Sequence, residues 1–427
     1  MHNTTKRISL QRYNSEEIRE LLNENTSDDE AFVASDNENE YIPQVEKTNE
    51  EASDIELEGD IEIGEHAYES DDSIEIEQSK EFIGKDGTCW NSTPFFQTQA
   101  YAANIIRQRG GPANYSKLYT AADVFKNILS NEMCDVILRE TNRKARKVTD
   151  AYNRMNIEKY TDVNKRPKLK TFKPFTEQEF DAFIGILIFC GVHKSNKEHL
   201  TELWKPDHLP LIRAAMSNDR FKLLLRFIRF DNDVTRPQRL TTDKAAAIRD
   251  IWNMLNSNLV RGYKPYDCIT VDEQLYGYRG GTRFTQYMPS KPEKYGIKIF
   301  WACDAANSYP LRGEIYTGKP AEGKRQTNIG ERTVLDLVSG FKNSGRNVTT
   351  DNFFITLQLA HILKSWNMTL VGTVRKNKRF LPASMQPNKD RSVYSTNWAY
   401  SKDATLCSYV PKKKKSCCNA IFYAYDS

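Results

Sequence analysis

The chain has 427 residues, enough for two or three domains, and its 28% charged and 39% hydrophobic residues exclude collagen-like, mucin-like and wholly unfolded classes. The longest apolar stretch, residues 180–192, is interrupted by Asp181 and falls short of the roughly 20 residues a membrane span needs. The polar N-terminus carries no apolar signal core, and eight cysteines without CxxC spacing predict reducing surroundings, with neither a zinc site nor a disulfide framework.

The net charge of +4 conceals a split: residues 1–80 carry −18 and the remainder +22. A basic body behind an acidic tail is a pattern that nucleic-acid-binding proteins often show. With the motifs described below, the expected partner is double-stranded DNA, with no membrane and no small-molecule substrate. A solvated basic surface with a solubilising tail is the plain alternative. Residues 1–92 are too acidic and too poor in aromatics to offset their chain entropy, and are expected to be a disordered tail.

Residues 93–265 read as a mainly helical domain. A helix over 120–147 places Val124, Phe125, Ile128, Leu129 and Met133 on one stripe, and its basic end (Arg139, Arg143, Lys144, Arg146, Lys147) suits a helix C-terminus. Thr176 and Glu179 have capping-box spacing and open an apolar helix over 180–190. Ser217 caps a helix with Phe221, Leu224, Leu225 and Ile228 on one face, and a further helix spans about 243–260.

At Tyr266 the period changes. Strands are predicted over 267–275, 295–303 and 311–317, then a helix over 328–341, a strand over 347–350, a helix over 354–366 and a strand over 369–374. This βββαβαβ order predicts an α/β fold with one RNase H-like mixed sheet over residues 266–376. Topology alone leaves function open.

Two aspartates stand out. Asp272 lies within the first of these strands and Asp351 directly follows the fourth. Carboxylates converging at strand ends are hard oxygen ligands suited to Mg2+ or Mn2+, and two such ions can drive phosphodiester cleavage. A turn acid at Asp272 and a helix cap at Asp351 are the structural alternatives. Asp304 and Glu273 read as supporting groups. The six histidines are dispersed, with no metal-ligand spacing.

The surrounding sequence carries a resemblance. Thr270-Val-Asp-Glu-Gln-Leu-Tyr-Gly-Tyr-Arg-Gly280, Met288-Pro-Ser-Lys-Pro-Glu-Lys-Tyr-Gly-Ile-Lys298, Thr349-Thr-Asp-Asn-Phe-Phe354 and Leu370-Val-Gly-Thr-Val-Arg-Lys-Asn-Lys-Arg379 resemble the core of piggyBac-type transposases. Upstream, Phe95-Phe-Gln-Thr98, Met216-Ser-x-Asp-Arg-Phe221 and Leu225-Arg-Phe-Ile-Arg-Phe-Asp-Asn232 also look familial. The resemblance implies a DDE-type cut-and-paste transposase acting at TTAA sites, with Mg2+ or Mn2+ on three carboxylates of an RNase H-like fold. Asp272 resembles the first carboxylate and Asp351 the second. The third lies in a region that these 427 residues do not reach. The resemblance further implies a nuclear protein, with residues 93–265 serving dimerisation and DNA binding, and residues 377–427 as a truncated insertion subdomain and tail.

Two rival expectations follow: an incomplete and therefore inactive transposase, or a domesticated, non-catalytic DNA-binding or interaction protein. Arg279, Lys291, Lys294 and Lys298 are candidate DNA-phosphate contacts, as is the cluster of Arg375 and Lys376 with Lys378 and Arg379, which also reads as a nuclear signal. Solvated loop cations are the alternative. Ser416-Cys-Cys-Asn419, back-translated with one permitted set of codons and read one base out of frame, gives a strand-like Ala-Val-Val-Met sequence. We therefore expect an out-of-frame tail over 416–427 with few long-range contacts, and no continuous core for residues 380–427. A divergent C-terminus is the alternative.

Overall fold

The computed structural model describes residues 80–94, 106, 108–113, 118–159, 169–318, 328–386, 391–412 and 415–422. Of the tail expected to be disordered over 1–92, residues 1–79 lie outside them, as does the Phe95–Thr98 motif. Residues 80–92 are ordered instead, with strands at Glu81–Ile83 and Cys89–Asn91 and Trp90 fully buried in the core, where its indole nitrogen donates to the Phe380 carbonyl at 2.9 Å. The chain divides into two compact units, the first holding Ser116–Asn258 and Arg279–Arg283, the second Leu259–Tyr278 and Phe284–Ser427 with the preceding Gln44–Tyr115.

The first unit is helical. Its elements are α1 (Ala121–Ile128), α2 (Asn131–Lys159), α3 (Glu177–Val192), α4 (Pro210–Ala215), α5 (Asn218–Phe227), α6 (Arg236–Arg239) and the start of α7 (Arg249–Gly262). The single helix expected over 120–147 is in fact two. Leu129 leaves helical geometry at φ −90° and ψ 80°, and its amide closes back on the Phe125 carbonyl. That break puts Met133 and Ile137 in the core while Val124 and Phe125 stay exposed. Helix α2 then runs on to Lys159, so the basic residues expected at a C-terminus sit mid-helix. The α7 segment also starts later than expected, because Asp243 folds into a turn and binds Arg249 at 2.7 Å.

The capping box forms as read. The Glu179 amide donates to Thr176 Oγ1 at 3.2 Å, and the Thr176 amide donates to Glu179 Oε2 at 2.9 Å. Arg220 of α5 grips both oxygens of Glu179, at 2.7 and 2.8 Å, and its Nη groups also reach the Lys173 and Pro174 carbonyls. One glutamate thus caps α3 and ties it to α5, over a core of Phe180, Phe183, Phe221 and Leu224. Arg220 holds the Glu179 carboxyl below the usual range, so its stabilisation is present at neutral pH and fades as pH falls through the lowered pKa. Glu179→Ala is expected to cost about 2 kcal/mol at pH 7, from the cap and the bidentate pair together. The gap to wild type should narrow in acid, as read by urea denaturation across pH.

The second unit is built on one large mixed sheet. Its strands are β1 (Glu81–Ile83), β2 (Cys89–Asn91), β5 (Cys268–Gly277), β6 (Gln286–Tyr287), β7 (Tyr295–Asp304), β8 (Pro310–Ile315), β9 (Asn347–Thr350), β10 (Thr369–Val374), β11 (Thr396–Tyr400), β12 (Thr405–Lys412) and β13 (Lys415–Phe422). The short pair β3 (Gly111–Pro112) and β4 (Tyr263–Lys264) stands apart. The sheet order is β1-β2-β11-β12-β13-β10-β9-β5-β7-β6, with β8 also on β7. β5, β7 and β8 form an antiparallel meander, while β9 and β10 join β5 in parallel. Parallel neighbours need crossovers, supplied by α8 (Ile329–Val338) before β9 and α9 (Leu357–Ser365) before β10. Val334, Leu337, Leu359 and Leu363 bury against Ile269, Val271, Phe300, Val348 and Leu370.

Two elements depart from expectation. Residues beyond 380 do join the core: Phe380, Leu381, Met385, Ala399 and Leu406 are buried in it. Lys415–Phe422 does not hang free but lies between β10 and β12, antiparallel to both, with Gly372 opposite Ala420 and Leu406 opposite Ala420. This central placement overturns the expectation of a tail with few long-range contacts and removes the support it lent to an out-of-frame reading. The reason is that β10 and β12 each leave a row of backbone donors and acceptors that a strand between them satisfies.

Candidate active site

Three strands meet at one cleft. The last parallel pair of β5 and β9 is Val271 opposite Thr350, so the next residues, Asp272 within β5 and Asp351 just past β9, emerge at the same level. The cleft, about 420 Å³, is lined by residues 270–272, 349–351 and 371–373 of β5, β9 and β10. Val271 and Thr350 are buried beneath it, and both aspartates reach solvent.

Asp272 Oδ1 accepts from the Glu273 amide at 2.7 Å. Burial by the flanking strands pushes its carboxyl above the usual range. The charges of Glu273 and Asp351 push the same way, while the Glu273 amide and Lys291 pull it back. Asp351 Oδ1 accepts from the Asn352 amide and, at 3.4 Å, from Thr373 Oγ1. Its carbonyl accepts from Phe354 at 3.2 Å. Two carboxylates lining one open cleft are a donor set that a hard divalent cation fits. Among the described residues, no group of three or more His, Cys, Asp or Glu has a metal-holding arrangement.

The cations expected to face DNA divide. Lys291 pairs with Glu273 at 3.4 Å. Lys298 lies over the Phe300 ring at 4.8 Å and over Phe353 at 5.3 Å. Arg375 donates from Nε to Asn352 Oδ1 at 2.9 Å. Lys294 and Lys376 are exposed, and Arg279 is exposed in the segment grouped with the helical unit. Asp304, read as a supporting group, is fully buried and accepts from Tyr263 Oη and the Tyr266 amide at 3.0 Å and from the Ala306 amide at 2.9 Å. It closes the turn after β7, away from the cleft lining.

The family described as Transposase IS4 matches residues 120–424. The chain belongs to this family, in its piggyBac-type branch. Within that transposase family, it is 26% identical over 208 residues to the human PiggyBac transposable element-derived protein 3, covering 47% of this chain and 34% of that one. The same identity over 208 residues relates it to the human Chimeric ERCC6-PGBD3 protein, covering 47% of this chain and 19% of that one. The match therefore spans about a third of the length of one of these curated relatives and about a fifth of the other. A cryo-EM structure of a piggyBac transposase synaptic complex with hairpin DNA superposes with a TM-score of 0.66 at 30% identity, covering 75% of this chain and 64% of that one.

Sequence reading of this transposase-family chain singled out the acids but not Thr373 or Asn352, which touch Asp351 or hold its turn. Neither carries charge, and only their place in the two familial motifs around them offered a signal. The raised Asp272 pKa yields a stability test in metal-free buffer. A carboxyl pushed up in the folded state favours folding below its unfolded pKa, and that contribution is lost as pH rises through the folded pKa. Asp272→Asn is therefore expected to melt higher than wild type at pH 7, with the difference shrinking in acid. A lower melting point at pH 7 would contradict the placement.

Proposed function

We propose that these 427 residues form a DNA-binding transposase-family protein with a divalent-metal site at Asp272 and Asp351, and that on their own they do not complete cut-and-paste transposition. The reading rests on one observation: the two aspartates emerge side by side from adjacent parallel strands into one cleft. The β8-β7-β5-β9-β10 order, an antiparallel meander followed by two parallel strands, supports an RNase H-like catalytic fold. Asp272 and Asp351 would hold Mg2+ or Mn2+, and a bound ion would neutralise charge on a scissile phosphate. The family supports a TTAA target and a nuclear location. Exposed Arg279, Lys294 and Lys376 are the proposed contacts to the phosphate backbone, with Lys291, Lys298 and Arg375 nearer the cleft, and the helical unit is the proposed dimerisation and DNA-binding part.

A second reading, a non-catalytic DNA-binding protein, is favoured because among the described residues no third His, Cys, Asp or Glu joins the pair in a metal-holding group. Phosphoryl transfer depends on positioning, and two ligands hold an ion more loosely than three. Calorimetric titration with Mn2+ and excision of a TTAA-flanked element by the purified chain separate the readings. Mn2+ binding that is lost in Asp272→Ala and in Asp351→Ala, without excision, is the expected result. Absence of Mn2+ binding would remove the metal site and leave the second reading. Metal-dependent excision that vanishes in Asp272→Ala would overturn the inactivity.

A further inference from the structure

One end of β10 reaches across to three consecutive residues beyond β9. Thr373 Oγ1 lies 3.4 Å from Asp351 Oδ1. Two residues on, just past the end of β10, Arg375 donates from Nε to Asn352 Oδ1 at 2.9 Å. The Arg375 guanidinium also lies 5.9 Å from the centre of the Phe353 ring, which Lys298 approaches at 5.3 Å. Asn352 in turn donates its amide to Asp351 Oδ1. These contacts depend on a close approach of the two strands at Gly372, where a Cβ would stand 2.2 Å from the Thr350 carbonyl oxygen.

Asp351 sits outside regular structure, one residue past the last rung of β9. A carboxylate there has no ladder to fix it, and its rotamer is set by whatever donors face it. Thr373 supplies one donor directly. Arg375 supplies another indirectly, because fixing the Asn352 side chain fixes the peptide whose amide points at Asp351. We propose that Thr373 and Arg375 are positioning residues: they form a two-point clamp that holds the turn 351–353 and aims Asp351 at the cleft. The clamp deepens the metal-site reading above and rests on it for its purpose. It also gives Arg375 work inside the protein, whatever it does toward DNA.

The test reads the turn itself. In the full chain without metal, amide exchange at Asn352 and Phe354 is followed in wild type, Thr373→Val, Arg375→Ala and Thr373→Ser. Loss of either contact should speed exchange about tenfold at these two amides, with global unfolding unchanged. Thr373→Ser, which keeps the hydroxyl, should restore wild-type protection. Asn352→Ala should make Arg375→Ala silent, since the contact is already gone. Exchange that is unaltered in Thr373→Val and Arg375→Ala overturns the clamp, as does an Arg375→Ala effect that persists in the Asn352→Ala background. Mn2+ titration of the same variants is the second readout, with weaker binding expected in Thr373→Val and rescue in Thr373→Ser. A wild type that takes up no Mn2+ defeats the metal reading alone, because the exchange data still decide the clamp.

Discussion

Duplex DNA affinity of the intact chain is expected to fall by roughly a thousandfold or more between about 50 mM and about 200 mM salt, and to rise when residues 1–79 are removed. The body beyond residue 80 carries +22 and the preceding segment −18. Each phosphate neutralised by Lys or Arg releases a condensed counterion, so the salt slope counts the cations engaged. The acidic segment offers the same cations an internal competitor at high effective concentration. Part of the body's charge is already spent: Arg220 on Glu179, Arg236 and Arg239 on the buried Asp231, and Lys291 on Glu273. The slope should therefore correspond to far fewer cations than the 55 Lys and Arg residues beyond residue 80. Fluorescence anisotropy over a salt series, with and without residues 1–79, measures both effects. A flat salt response would defeat the DNA-binding proposal. Equal affinities for the two chains would defeat the competition.

Gly372→Val is expected to lower unfolding free energy by about 3 kcal/mol or more, and to abolish Mn2+ binding with it. A Cβ at this position would stand 2.2 Å from the Thr350 carbonyl oxygen and 3.0 Å from Ile355 Cδ1. The nearer obstacle is backbone, in register with Gly372 across a parallel pair, so no side-chain rotation relieves it. The strands would have to part, which breaks ladder hydrogen bonds and draws Thr373 away from Asp351. Urea denaturation gives the first quantity and calorimetry the second. A loss below about 1 kcal/mol would mean that β9 and β10 are not so closely paired.

Several elements were legible in the residues alone. The strand over 347–350 and the strand over 369–374 form with the bounds read from their β-branched runs, and the Thr176–Glu179 box closes as its spacing implies. Such signals are local: a cap is decided within four residues, and a strand by its own alternation and its flanking turns. The two acids stood out for a similar reason, each lying in a familial motif, one within a predicted strand and one directly after another.

What the sequence determined by itself was thus the succession of β5, β7, β8, α8, β9, α9 and β10, with one acid within β5 and another just past β9. The tertiary structure alone decided where α1 gives way to α2, since the apolar stripe is continuous and only packing selects Met133 over Phe125 for burial. It alone placed Lys415–Phe422 between β10 and β12, because strand pairing joins segments dozens of residues apart and leaves no local mark. It alone assigned Lys291 to Glu273 and Arg375 to Asn352, giving two expected DNA contacts partners inside the protein as well. A cation's partner is chosen by proximity in space, and proximity is what folding creates.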